Sequence, residues 1–435
     1  MAQVTERERV AHVVRRLSMG PNPDLLAKVE HPDEAVAAAL DQSAPPPTPP
    51  DLPPPADYQT ARNVAGIAPP IAWWFDQMRA SPRLVDERLV WFWHDHFATS
   101  VQKVRVPYLM WRQHLTIRQH ATGSFADLLR AVSKDPAMLV WLDGVTNTAK
   151  QRNENFGREV MELFTLGHGA GYTQPDVVEA SRAFTGWVVN IPGRAGNQRQ
   201  AAALAAVPPW GAAFVASRHD GGPKTLLGQT GNFDMDGALQ VLLQHPATAR
   251  FVSTKLYREL VGMDPPPATV DRLASTFRSD YAILPLVEAI VSDPAFTSDA
   301  AVRAKVRTPV EKLVGILQAA PSPSVQLGPL PKRPRANAPA AVGEALRTLA
   351  YIPFMPPNVA GFPKGNGLLG PHQLVHTFDL LAAVPTPPSE PDTDALFARL
   401  GLFDVSDHSR SVVDRERDAG RRFALAVASP EYALT

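Results

Sequence analysis

Asn153-Glu154-Asn155-Phe156-Gly157-Arg158-Glu159-Val160-Met161-Glu162-Leu163-Phe164-Thr165-Leu166-Gly167 is the stretch whose reading sets the architecture. Asn153 has the short polar side chain that caps a helix start, and Gly167 is a residue at which helices stop. The spacing predicts a helix of about three to four turns between them. Asn155, Glu159 and Glu162 fall at i, i+4 and i+7, which puts an amide and two carboxylates on one stripe. Such carboxylates bind a hard metal together with an imidazole from a neighbouring helix, or work as an acid–base pair. The ordinary alternative is a ladder of surface ion pairs at i, i+4 and i+8 through Glu154, Arg158 and Glu162.

The same period runs outward along the chain. Val10, Val13, Val14 and Leu17 form one helical stripe; Leu25 with Val29, and Val36 with Leu40, suggest two short helices after it. Phe125–Val132, Leu239–Leu243, Phe251–Leu256, Leu284–Ile290 and Val310–Leu317 repeat the pattern. Asp135-Pro136, Asp293-Pro294 and Ser429-Pro430 are cap–proline pairs, which shared capping chemistry explains without duplication. Strand-like alternation is scarce. Trp187–Ile191, Phe214–Ala216 and Lys224–Leu227 are the candidates, with Asp220-Gly221-Gly222 as the turn between the last two. The expectation is a mainly α, large multi-helix single body (residues 1–435) with a small β-hairpin insertion.

Composition narrows the class. With 45% hydrophobic and 20% charged residues, the 435-residue chain is globular rather than disordered. Its 43 basic and 43 acidic residues cancel, which excludes binding to nucleic acid or anionic lipid by overall charge. No apolar stretch approaches the length of a transmembrane segment. Without cysteine there is no disulfide, thiol nucleophile or thiolate metal site. The N-terminal stretch has no apolar signal core, so the expected compartment is cytoplasmic. Proline, at 44 residues, punctuates the chain. Residues 44–56 read as an extended Pro-rich linker, 193–228 as a loop and β-hairpin insertion, and 320–340 as a Pro-rich loop with the basic tract Lys332-Arg333-Pro334-Arg335.

Two further clusters carry chemistry. In Trp91-Phe92-Trp93-His94-Asp95-His96-Phe97, helical residues two apart point about 200° away from each other, so His94 and His96 do not share a metal within the helix. His96 shares the buried face with Leu89, Phe92 and Trp93, as a ligand, a proton carrier or a hydrogen-bonded core histidine. Ser217-Arg218-His219-Asp220-Gly221-Gly222-Pro223-Lys224-Thr225 fails the GxxxxGK[ST] pattern, so nucleotide binding is rejected. His219, Asp220 and Lys224 remain candidates to project into a cleft, against the alternative of a solvated turn. HExxH and GxSxG are absent. Pro356–Phe362, with Asn358 at its apex, reads as a rigid structural turn.

Taken together, Phe92–Phe97, Asn153–Gly167, Tyr172–Trp187, His219–Gly228, Pro356–Phe362 and Ser429–Tyr432 resemble the bacterial family called domain of unknown function 1800, in the right order and over nearly the whole chain. The resemblance implies helical architecture and no established activity. It also implies members that are often exported and encoded beside a second uncharacterised family, number 1501, related to sulfatase- and phosphatase-like proteins. Phe362 stands where that family commonly has Trp.

The functional expectation is a metal-assisted hydrolase or oxidase. His96, Glu159 and Glu162 are its metal ligands and, with Arg158, its catalytic groups; Asn155, His219, Asp220 and Lys224 bind substrate. The metal is a divalent ion of the Mn, Fe, Zn or Mg kind. The alternative is a non-catalytic partner or maturation protein for a neighbouring sulfatase- or phosphatase-like protein, marked by paired, solvent-free charges and an exposed apolar patch.

Overall fold

The computed structural model describes residues 3–193, 204–205, 207–320, 327–328, 342–383, 387–390 and 392–435. The basic tract at 332–335 and most of the expected 320–340 loop lie outside these residues, as does part of the 193–228 insertion. The fold is mainly α-helical with two small antiparallel strand pairs. No helix among the described residues is long and apolar enough to cross a membrane.

At its centre lies the helix Leu84–His96, all of whose residues are buried. Helices Glu6–Leu17, Pro32–Leu40, Ala68–Ala80 and Pro107–His120 pack around it. Their apolar stripes join one cluster of buried side chains that extends from Val10 to Tyr432. The helix starts follow the capping rules. Asp135 accepts from the backbone N–H groups of Ala137 and Met138 ahead of Pro136–Trp141. Thr308 and Glu311 form a reciprocal capping box at Pro309–Ala319. The 45–55 stretch is non-helical chain, and Trp210 Nε1 donates to the Pro55 carbonyl at 2.9 Å.

Two local expectations are corrected. The strand pairs are β1 (Trp187–Val189) with β2 (Ala212–Phe214), and β3 (Lys224–Leu226) with β4 (Gln229–Gly231). Asp220-Gly221-Gly222 is therefore not the hairpin turn. Leu227 (φ 50°) and Gly228 (φ 78°) are, because a two-residue turn with both φ positive matches the strand twist. The Asn153–Gly167 helix is α over Asn155–Glu159 and widens to a π-turn over Val160–Thr165. Leu166 N–H reaches five residues back to the Met161 carbonyl, and Gly167 ends the helix with φ 84°.

Candidate functional site

The His94-Asp95-His96 stretch ends the central helix, and its three polar side chains diverge to three separate segments. His94 Nε2 accepts from the Phe354 N–H at 3.0 Å amid the rings of Trp74, Trp91 and Phe354. Burial there pushes its pKa down to about 4, so the imidazole is neutral. Asp95 Oδ1 accepts from the Phe362 N–H at 2.7 Å, and Oδ2 pairs with Lys364 Nζ at 2.5 Å. His96 Nε2 lies 3.1 Å from the Phe164 carbonyl. A carbonyl only accepts, so Nε2 carries the proton and Nδ1 is left as an acceptor. That acceptor lies 2.9 Å from Lys255 Nζ. The Phe164 carbonyl is free for His96 because it belongs to the last turn of its helix.

Of these residues, Asp95, Lys255 and Lys364 line a cavity of about 540 Å³. Such a volume falls in the range of small-molecule sites, roughly 300–1,000 Å³. Trp91, Phe92 and Tyr351 supply its aromatic surface, while Asp95, Lys255, Glu259, Lys305 and Lys364 bring charge to it. The helix Pro246–Val261 contributes Lys255 and Glu259 from adjacent turns. The segment after Phe354 contributes Lys364, and Phe362 stacks against both Trp91 and Tyr351, with centroids 5.5 and 4.7 Å away.

Most of the charges are matched. Glu259 and the deeper Glu311 share Arg88, at 3.1 and 2.5 Å, and both accept from Lys305. Burial opposes the charge on Glu311, but Lys305 and Arg88 outweigh it and hold the carboxyl well below its usual range. Lys364 is exposed along much of its side chain; its ammonium meets some desolvation at the cavity, but Asp95 and Glu259 outweigh it and raise its pKa. Lys255 differs. Its hydrogen bond goes to an imidazole rather than a carboxylate. Burial first, then the positive charge of Lys364, lower its pKa to about 8. His96 itself is held neutral by burial and by Lys255.

Of the residues expected from sequence to form the site, only His96 reaches this region, behind Lys255. Arg158 pairs with Glu154 at 3.1 Å and Glu162 at 3.4 Å, so the i, i+4, i+8 ladder is formed. Glu162 also lies 3.5 Å from His168 Nδ1. Glu159 is half-buried, and its pKa is raised by burial and by the Glu162 charge. Asn155 Nδ2 donates to Asp143 at 3.2 Å. At the β3 end, Arg182 grips both oxygens of Asp220 at 2.7 and 2.9 Å. His219 Nδ1 lies 3.0 Å from Thr185 Oγ1, and the buried Lys224 donates to the Asp220 and Gly222 carbonyls. None of Asn155, Arg158, Glu159, Glu162, His219, Asp220 or Lys224 lines the cavity.

A metal does not fit the expected ligands. His96 spends both nitrogens, and no group of three or more His, Asp or Glu side chains among the described residues is arranged to hold an ion. The residues missed by sequence reasoning are Lys255, Glu259, Lys305 and Lys364. Their one advance signal is that Lys364 follows closely on Phe362, the end of the rigid turn.

Comparison with curated proteins found no match, and comparison with solved structures found none. The family model described as protein of unknown function (DUF1800) matches residues 12–434, nearly the entire chain. With that span and the helical architecture in agreement, the chain belongs to the DUF1800 family.

Proposed function

We propose that the cavity is the small-molecule site of an enzyme in which Lys255 reacts as a neutral amine. The observation that carries this reading is the 2.9 Å contact between Lys255 Nζ and the unprotonated Nδ1 of His96, on the wall of an aromatic-lined cavity. An amine with a pKa of about 8 is deprotonated often enough near neutral pH to act as base or nucleophile, which an ordinary lysine is not. His96 is a positioning residue: its tautomer, fixed by Phe164, directs one Lys255 N–H away from the cavity. The divergent donors give metal-assisted hydrolysis or oxidation no comparable support. The test is competitive acetylation across a pH series with peptide-resolved mass spectrometry. Lys255 should half-label near pH 8, and labelling that begins only above pH 10 overturns the reading.

A second reading is a non-catalytic partner for a sulfatase- or phosphatase-like protein. It is favoured by the exposed apolar side chains of Leu374, Val375 and Phe378, which are 45, 63 and 45% exposed beside the segment that carries Lys364. Co-purification with such a protein, lost on Val375→Asp, would support it. Equal recovery with the variant would not.

A further inference from the structure

We propose that Lys255 forms an imine with a small oxo acid held in this cavity. The inference rests on the enzyme reading above and narrows it to a substrate class and a covalent step. Three features of the site point there. First, the contact with His96 takes one N–H of the Lys255 amine, which leaves the nitrogen lone pair available to the cavity. Second, Lys364 stands on the same cavity with its side chain 53% exposed, and Asp95 takes one of the three N–H donors of its ammonium. The remaining donors suit a carboxylate. Third, the aromatic surface of Trp91 and Phe92 suits the short carbon body between the two polar ends.

The step balances without an oxidant or reductant. The Lys255 lone pair forms the C–N bond while the carbonyl π pair moves to oxygen. The proton lost from Nζ passes through solvent in the cavity to the carbinolamine oxygen, while His96 Nδ1 holds the N–H that remains on the nitrogen. A second proton, taken from solvent at the open cavity, lets that oxygen leave as water as the C=N bond forms, and the nearby Asp95 carboxylate compensates the charge of the protonated imine, which keeps its remaining N–H. A carboxylate on the substrate is held by Lys364, so charged carbonyl compounds react in preference to neutral ones of the same size.

The full-length protein is incubated with glyoxylate and sodium cyanoborohydride, then analysed by intact mass and peptide mapping. One carboxymethyl group per chain, located on Lys255, is expected. Glyoxylate should be trapped about tenfold faster than propanal, as local cations raise the concentration of an anion. Lys364→Met should abolish that preference while propanal still reacts at Lys255. Adducts spread over other lysines overturn the inference, and so does an absence of adduct. If Lys255 still acetylates with a midpoint near pH 8 and no adduct forms, the imine is wrong and the amine acts as a base. If Lys255 labels only above pH 10, the enzyme reading falls as well. Mapping the site on the unmodified sequence keeps the test valid should a variant fail to fold.

Discussion

Gly361 lies against the Asp95 carboxylate. A Cβ at residue 361 would collide with Oδ1 and come within 3.0 Å of the Asp95 carbonyl oxygen, and φ at this position is +98°. The close approach lets the next residue, Phe362, donate its N–H to Asp95. Gly361→Ala therefore meets both backbone strain and a steric clash. It is expected to destabilise the fold by about 1–3 kcal/mol, read by urea denaturation. The same change should loosen Lys364, seen as a higher labelling rate of that amine.

Lys255 gives a prediction with a sign. Its folded pKa, about 8, is below the unfolded value of about 10.4. The unfolded chain binds more protons between these values, so the native protein gains stability as pH rises from 8 towards 10.4. Below pH 8 the full penalty of the buried charge is present. Lys255→Met should then be more stable than the wild type by about 1–3 kcal/mol at pH 7, with the gain fading by about pH 10.4. Denaturation at pH 7 and at pH 10 checks it, and equal stability at pH 7 would show that the amine is not held as described.

Arg88 stands between two buried carboxylates and also donates to the Ser18 and Arg15 carbonyls. Arg88→Met leaves Lys305 as the remaining salt-bridge partner of Glu259 and Glu311, and a cost of about 3–5 kcal/mol is expected. Glu8, Glu259 and Glu311 all have lowered pKa values: burial opposes their charge, but Arg15 and Arg303 around Glu8, and Lys305 and Arg88 around the other two, outweigh it. The stability they contribute is complete above the ordinary glutamate pKa and is lost as pH falls through the folded values. A thermal melt series from pH 6 downwards should show this loss, and Glu311→Gln should flatten its slope.

Glu159 and Glu162 sit apart from the cavity, so their replacement probes the metal expectation cleanly. Glu159→Gln removes a charge that burial and Glu162 disfavour, and should leave stability within about 0.5 kcal/mol of wild type. Elemental analysis of wild type and Glu159→Gln should show no metal that the substitution removes. Stoichiometric metal that falls in the variant would restore the carboxylate-helix reading.

Helix positions were legible because apolar period and cap chemistry are local, as in Glu6–Leu17 and in the Asp135 and Ser429 caps. The site was not. Lys255 reads as an ordinary helix lysine, and what sets it apart is a histidine 159 residues away. Conversely, Glu159, Glu162 and Asp220 look like chemistry because carboxylates cluster there. A ladder through Arg158 is an equally local pattern and is what formed, while Asp220 is taken by Arg182 from 38 residues earlier. The hairpin was misplaced for a related reason. Asp-Gly-Gly is a strong turn signal, whereas Leu227 at positive φ is a conformation sequence seldom announces.

The central helix also sets an order of assembly during synthesis. Residue 96 leaves the ribosome long before the groups that satisfy its end. The amide that meets Asp95 is 267 residues later, the one that meets His94 is 260 later, and Glu311 follows Arg88 by 223. At ordinary elongation rates that interval is on the order of tens of seconds. Until then His94 and Asp95, on a segment destined for complete burial, lack the amides that satisfy them. The amino-terminal part of the chain is thus not a self-sufficient folding unit, and an interrupted product ending before residue 351 lacks the pieces that close around this helix. Only a translation product that extends past Lys364 presents the pocket at all.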